Sequence, residues 1–94
     1  MDTCYVTAVL TAKKGMEAQL EAEVLRNIPN VRAEKGCIRY DFHKNRAGDG
    51  TFLFYEIWES PEALNAHANS AHMQVYKERT EDLQACPTVV TVWS

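Results

Sequence analysis

The chain has 94 residues, 46% hydrophobic and 24% charged, with ten Lys and Arg against thirteen Asp and Glu and a formal net charge of −3. That length makes one domain over residues 1–94, with no room for a cofactor-binding domain beside a substrate domain. The apolar fraction excludes disorder, the scattered cations exclude a nucleic-acid partner, and the lack of any ~20-residue apolar run excludes a membrane role.

Residues 3–12 read as a strand, dense in β-branched and aromatic side chains (Tyr5, Val6, Thr7, Val9, Leu10). Lys13-Lys14-Gly15 is a turn. From Met16 the period changes to that of a helix, with Met16, Leu20, Val24 and Ile28 on one stripe and Leu25 beside it. Pro29 is expected to end or bend this helix, because it lacks a backbone donor and disfavours the helical conformation of Ile28. A ragged continuation reaches about Glu34 before Gly36 breaks it.

Residues 37–44 alternate as a second strand, with Ile38, Tyr40 and Phe42 on one face and Arg39, Asp41 and His43 on the other. Asn45 to Gly50 carries a hairpin signal. Residues 52–58, Phe-Leu-Phe-Tyr-Glu-Ile-Trp, form a third strand that calls for burial on both faces. Ser60-Pro61 is a strong helix start, giving a short helix over 61–68. After the break at Asn69-Ser70, a second helix over 71–84 places His72, Tyr76, Arg79 and Leu83 on one stripe. Cys86-Pro87 stops it, and residues 88–93 are the last strand.

The order β-α-β-β-α-β predicts an α+β, ferredoxin-like domain: a four-stranded antiparallel sheet with the helices on one face. The other sheet face is left bare, and an apolar face of that size is an interface or a hazard. A homodimer packed sheet against sheet is therefore expected. Cys4, Cys37 and Cys86 are odd in number, with no Cys-x-x-Cys pair, and read as free thiols of a reducing compartment. An acid stands where a leader peptide needs bases, so the location expected is cytoplasmic.

Four stretches in this order, Thr11-Ala12-Lys13-Lys14-Gly15, Arg32 to Asp41, Phe54-Tyr55-Glu56-Ile57-Trp58-Glu59-Ser60, and His67 with His72 five residues on, resemble the antibiotic biosynthesis monooxygenase family. The resemblance covers essentially the whole chain. It implies a small dimeric α+β barrel with a pocket between sheet and helices. Many members oxygenate phenolic or quinol-like molecules without flavin, haem or metal, and the family also holds an isomerase of a phosphorylated metabolite and haem-degrading members. In the latter an Asn and a haem-ligating His stand where this chain has Ala8 and Lys77, so the haem signature is missing.

A cofactor-free oxygenase must remove a proton from a phenol or an activated carbon, because the electron-rich anion is what reduces dioxygen. Imidazole is the natural acceptor near neutral pH. His67, one turn after Leu64, and His72 are the candidate base and its hydrogen-bonding partner; the plain alternative is a pair of core-edge histidines. Glu56, alone among apolar residues, is the candidate acid that orients a histidine, or else the partner of Arg39, Arg79 or a residue of a second copy. Trp58, Phe54, Tyr40, Tyr76 and Arg79 are candidate substrate contacts, with packing, or for Arg79 solvation, as the bland reading. No His-x3-His pair or phosphate loop is present, so neither metal nor cofactor is expected. The leading function is a monooxygenase of a small aromatic substrate. The alternatives are an isomerase using the same histidines and a binding module without turnover.

Overall fold

A computed structural model of the chain describes residues 2–94. The elements are β1 (Cys4–Thr11), α1 (Glu17–Arg32), β2 (Cys37–Lys44), β3 (Thr51–Trp58), α2 (Pro61–Ala68), α3 (Ala71–Thr80), a 3₁₀ turn (Glu81–Leu83) and β4 (Val89–Trp93). All strand pairs are antiparallel and the order is β2-β3-β1-β4, the ferredoxin-like arrangement predicted from the element order.

The sheet sorts its side chains by the two-residue period of a strand. Val6, Ala8 and Leu10 of β1 and Phe52, Phe54, Glu56 and Trp58 of β3 face the helices and are buried. There they meet Leu20, Val24, Ile28 and Val31 of α1 in one core. The outer face is less covered: Leu53 and Ile57 are half-buried, while Tyr5, Tyr55, Val89 and Trp93 are exposed. Within one protomer, then, β3 is buried on one face and not on both.

The continuation expected beyond Pro29 is present, and two further expectations are corrected. The α1 helix runs through Pro29 to Arg32, because Ile28 and Val31 are drawn into the core. The carbonyl that proline leaves without its helical donor belongs to Leu25, a residue on the exposed side of the helix. In β2 the ladder slips between Cys37 and Arg39, so Ile38 is the extra residue of a bulge and is exposed rather than aligned with Tyr40 and Phe42. The α3 helix stops at Thr80 and buries Met73 and Thr80, with Tyr76 half-buried between them. Arg79 is exposed, so the stripe built on His72 and Arg79 does not face the core. Met73 sets the rotation by packing on α1, where its sulfur accepts from buried Asn27 at 3.3 Å.

All three cysteines are free thiols, as expected. Among the described residues no helix is long and apolar enough to cross a membrane.

One glycine permits a close approach between two elements. Gly36 has φ +89°, and a Cβ there would lie 2.6 Å from Ala63 Cβ and 3.0 Å from Glu59 Cγ. Its carbonyl accepts from Glu59 N at 2.9 Å, which presses the turn after α1 against the start of α2. Gly48 has a similar φ of +70° but open space around it. Gly48→Ala is expected to lose about 1–2 kcal/mol from backbone strain alone, and Gly36→Ala about 1–3 kcal/mol more from overpacking. Urea denaturation of both variants checks this, and equal losses would mean that the approach at Gly36 is not tight.

Candidate functional site

The helix break that separates α2 from α3 places the histidines. Ser60 caps α2 by accepting from Ala63 N, and Ser70 caps α3 by accepting from Met73 N. Ser70 also donates to the carbonyl of His67 at 2.8 Å, tying the two helices together at the turn. His67 thus ends α2 and His72 begins α3. The His67 ring lies over Trp58, with centroids 4.5 Å apart, and edge-on to Tyr40 at 5.9 Å.

Glu34, in the turn that Gly36 presses inward, reaches both histidines with one oxygen. Its Oε2 lies 2.8 Å from His67 Nδ1 and 2.7 Å from His72 Nε2. The three side chains are 13%, 7% and 27% exposed for Glu34, His67 and His72. An ionised carboxylate only accepts hydrogen bonds, so both of these nitrogens carry protons. Neutral His67 then keeps its lone pair on Nε2, which makes no hydrogen bond among the described residues. The three ligand-capable atoms also lie within 4.8 Å of one another.

Between sheet and helices lies a cavity of about 430 Å³, within the size range of small-molecule sites. Its walls are mostly apolar, including Val6, Leu10, Phe54, Leu64 and Met73. His67, Glu56, Tyr40, Tyr76 and Lys77 supply its main polar groups. Tyr40 stacks on Phe54 with centroids 4.4 Å apart. Burial, and then the nearby Glu56 carboxylate, push both phenols well above the ordinary tyrosine range, so Tyr40 and Tyr76 stay protonated donors. Ala8 and Lys77 both line the cavity.

Of the residues singled out in the sequence, Tyr40, Phe54, Glu56, His67 and Tyr76 converge on this cavity. Three do not line it. Trp58 is fully buried behind His67. His72 is held outside by Glu34. Arg79 is exposed and pairs with Glu23 at 2.7 and 3.0 Å. Glu56 does not hydrogen-bond a histidine either. Its Oε1 accepts from the Trp58 indole at 2.9 Å, and Arg39 pairs with Asp41 instead. The orienting acid is Glu34, which sequence spacing does not reveal: it stands 33 and 38 residues from its partners. Its only signal is its place before the Gly36 turn, inside the stretch from Arg32 to Asp41.

The family model for antibiotic biosynthesis monooxygenase matches residues 3–79. The chain belongs to that family. A Bacillus subtilis protein named "Putative monooxygenase YcnE" is 25% identical over 80 residues, 85% of this chain and 84% of that one. The Synechocystis protein sll1783, uncharacterized, is 34% identical over 62 residues, 66% of this chain; the match spans only 42% of its length. Among solved structures, Rv0793 from Mycobacterium tuberculosis superposes with a TM-score of 0.92 at 29% identity, covering 99% of this chain and 94% of that one. The superposition on Rv0793 supports the fold over nearly the whole chain.

Glu56 gives a test of the site's electrostatics. Burial raises its carboxyl above the ordinary value of 4.5, more than the Trp58 bond and nearby His67 lower it. The unfolded chain therefore ionises first as pH rises, and wild type loses stability from about 4.5 up to the folded-state value. Glutamine cannot ionise, so the stability of Glu56→Gln relative to wild type is expected to increase between pH 4 and pH 7. Urea denaturation at the two values checks this, and the comparison cancels any constant effect of the amide. An unchanged difference would mean that the carboxyl is not held neutral-leaning by burial.

Proposed function

We propose that this family member is a cofactor-independent monooxygenase of a small aromatic, quinol-type substrate, with His67 as its general base. The observation that carries the reading is the Glu34 contact. By accepting the Nδ1 proton of His67, the carboxylate leaves the Nε2 lone pair available at a largely apolar cavity. Glu34 and His72 act as positioning residues, one fixing the tautomer and the other holding Glu34. Proximity and a positioned base are the two main contributions such a site makes.

In this reading the substrate hydroxyl or activated C–H passes its proton to Nε2. The anion gives one electron to dioxygen, the two radicals combine in a carbon–oxygen bond, and the peroxide anion takes the proton back from His67 Nε2 to become a hydroperoxide. Loss of water then leaves one oxygen atom as a product carbonyl, so dioxygen supplies one atom to product and one to water. The phenols of Tyr40 and Tyr76 hydrogen-bond substrate oxygens, and Phe54 with Tyr40 forms the ring platform. Few water molecules compete inside such walls, which favours a short-lived radical pair.

The reading includes a second copy packed on the outer sheet face. Its support is the row of exposed Tyr5, Tyr55, Val89 and Trp93, which a lone protomer leaves in water.

Oxygen uptake with a panel of hydroquinones tests the chemistry. Wild type is expected to consume oxygen, and His67→Ala to be slower by about 10²–10⁴-fold. Tyr76→Phe keeps the base and is expected to affect KM more than kcat. Equal uptake by wild type and His67→Ala would overturn the role of His67. Product formed at the same rate under argon would replace oxygenation by isomerisation at the same nitrogen.

A further inference from the structure

We infer that Glu34, His67 and His72 form a three-ligand site for a borderline divalent cation such as zinc, placed outside the cavity. The site is built from three separate segments: the turn after α1, the end of α2 and the start of α3. Each contributes one ligand atom, and Oε2, Nδ1 and Nε2 all lie within 4.8 Å of one another. Two imidazoles and one carboxylate suit zinc and its neighbours in the transition series, whereas calcium and magnesium call for mostly oxygen ligands.

The distances decide how much must move. Zinc holds nitrogen and oxygen ligands at about 2.0–2.2 Å, which for a tetrahedron separates neighbouring ligand atoms by about 3.3–3.6 Å. The carboxylate oxygen now stands 2.8 and 2.7 Å from the two nitrogens, so each of these two separations opens by about 0.5–0.9 Å. His72, at the first turn of α3 and 27% exposed, has the freedom to supply that movement. His67 is held by its stacking on Trp58, which pre-orients one ligand. A water molecule takes the fourth position, entering from the side on which His72 is exposed.

For the cation to bind, each neutral ring shifts its one proton from the nitrogen that now faces Glu34 to its other nitrogen, Nε2 in His67 and Nδ1 in His72, so neither imidazole loses a proton. Zinc neither gains nor loses an electron here, so it adds no redox step. The cation and the Nδ1 proton compete for the same lone pair. A loaded His67 therefore carries its one proton on Nε2 and donates into the cavity instead of accepting. That last consequence rests on the function proposed above, whereas the site itself does not.

Calorimetric titration of chelator-treated full chain with zinc chloride tests the site without any activity measurement. One zinc per chain is expected, with affinity falling more than about tenfold in His72→Ala and in Glu34→Gln. His43→Ala, on the outer face of β2, and Cys86→Ser, an exposed thiol, are expected to bind as wild type does. Zinc should also raise the melting temperature of wild type and not that of His72→Ala. Absence of saturable uptake would overturn the inference, as would unchanged affinity in His72→Ala with a native circular dichroism spectrum. Since His72 is partly exposed, that variant keeps the test decisive even if Glu34→Gln fails to fold.

Discussion

The site depends on one carboxylate oxygen shared by two imidazoles. Glu34 brings a charge to a place only 13% exposed, where an unpartnered carboxylate would be strongly disfavoured. Accepting from both His67 and His72 satisfies it, and the same contact fixes the ring orientation and tautomer of His67. The arrangement requires the turn after α1 to lie close against α2, and only a residue without a side chain permits that approach. Gly36, with φ +89° and no room for a Cβ, is what brings Glu34 within reach.

Two acids at the cavity end of the fold therefore have different tasks. Glu34 sits between two donors that can carry positive charge, and it acts on the histidines. Glu56 is buried in the inner face of β3, with the Trp58 indole as its side-chain donor, and burial moves its carboxyl toward the neutral form. Its influence on the cavity is exerted on the phenols, which burial and the Glu56 charge keep protonated. Trp58 connects Glu56 to the histidine that Glu34 holds: it donates to Glu56 while its ring supports His67. A residue with no cavity surface thus sets the positions of two that have it.

Much of the fold was legible because local rules and burial agreed. The strand over 37–44 and the helix over 61–68 fall where alternation and the Ser60-Pro61 start place them. The helix also continues past Pro29 to Arg32, within the continuation expected to about Glu34, because it is anchored in the core on either side. Errors arose where packing overruled a local rule. Ile38 left the face of Tyr40 because a bulge inserted one residue, a shift that a two-residue period cannot announce. The rotation of α3 followed Met73 against α1 and not the stripe of His72 and Arg79.

By itself the sequence determined the element order, the ferredoxin-like sheet, and the family to which the chain belongs. These follow from periodicity, capping and turn chemistry, which act over a few residues, and from motifs whose order survives in one dimension. Only the tertiary structure decided which acid meets the histidines. Glu34 lies 33 and 38 residues from its partners, and no periodic pattern relates positions so far apart. It also decided that His67 lines the cavity while His72 stays outside, since that distinction depends on how two short helices turn about Ser70. Contacts that close long loops are set by the packing of whole elements, and such packing is invisible in local spacing.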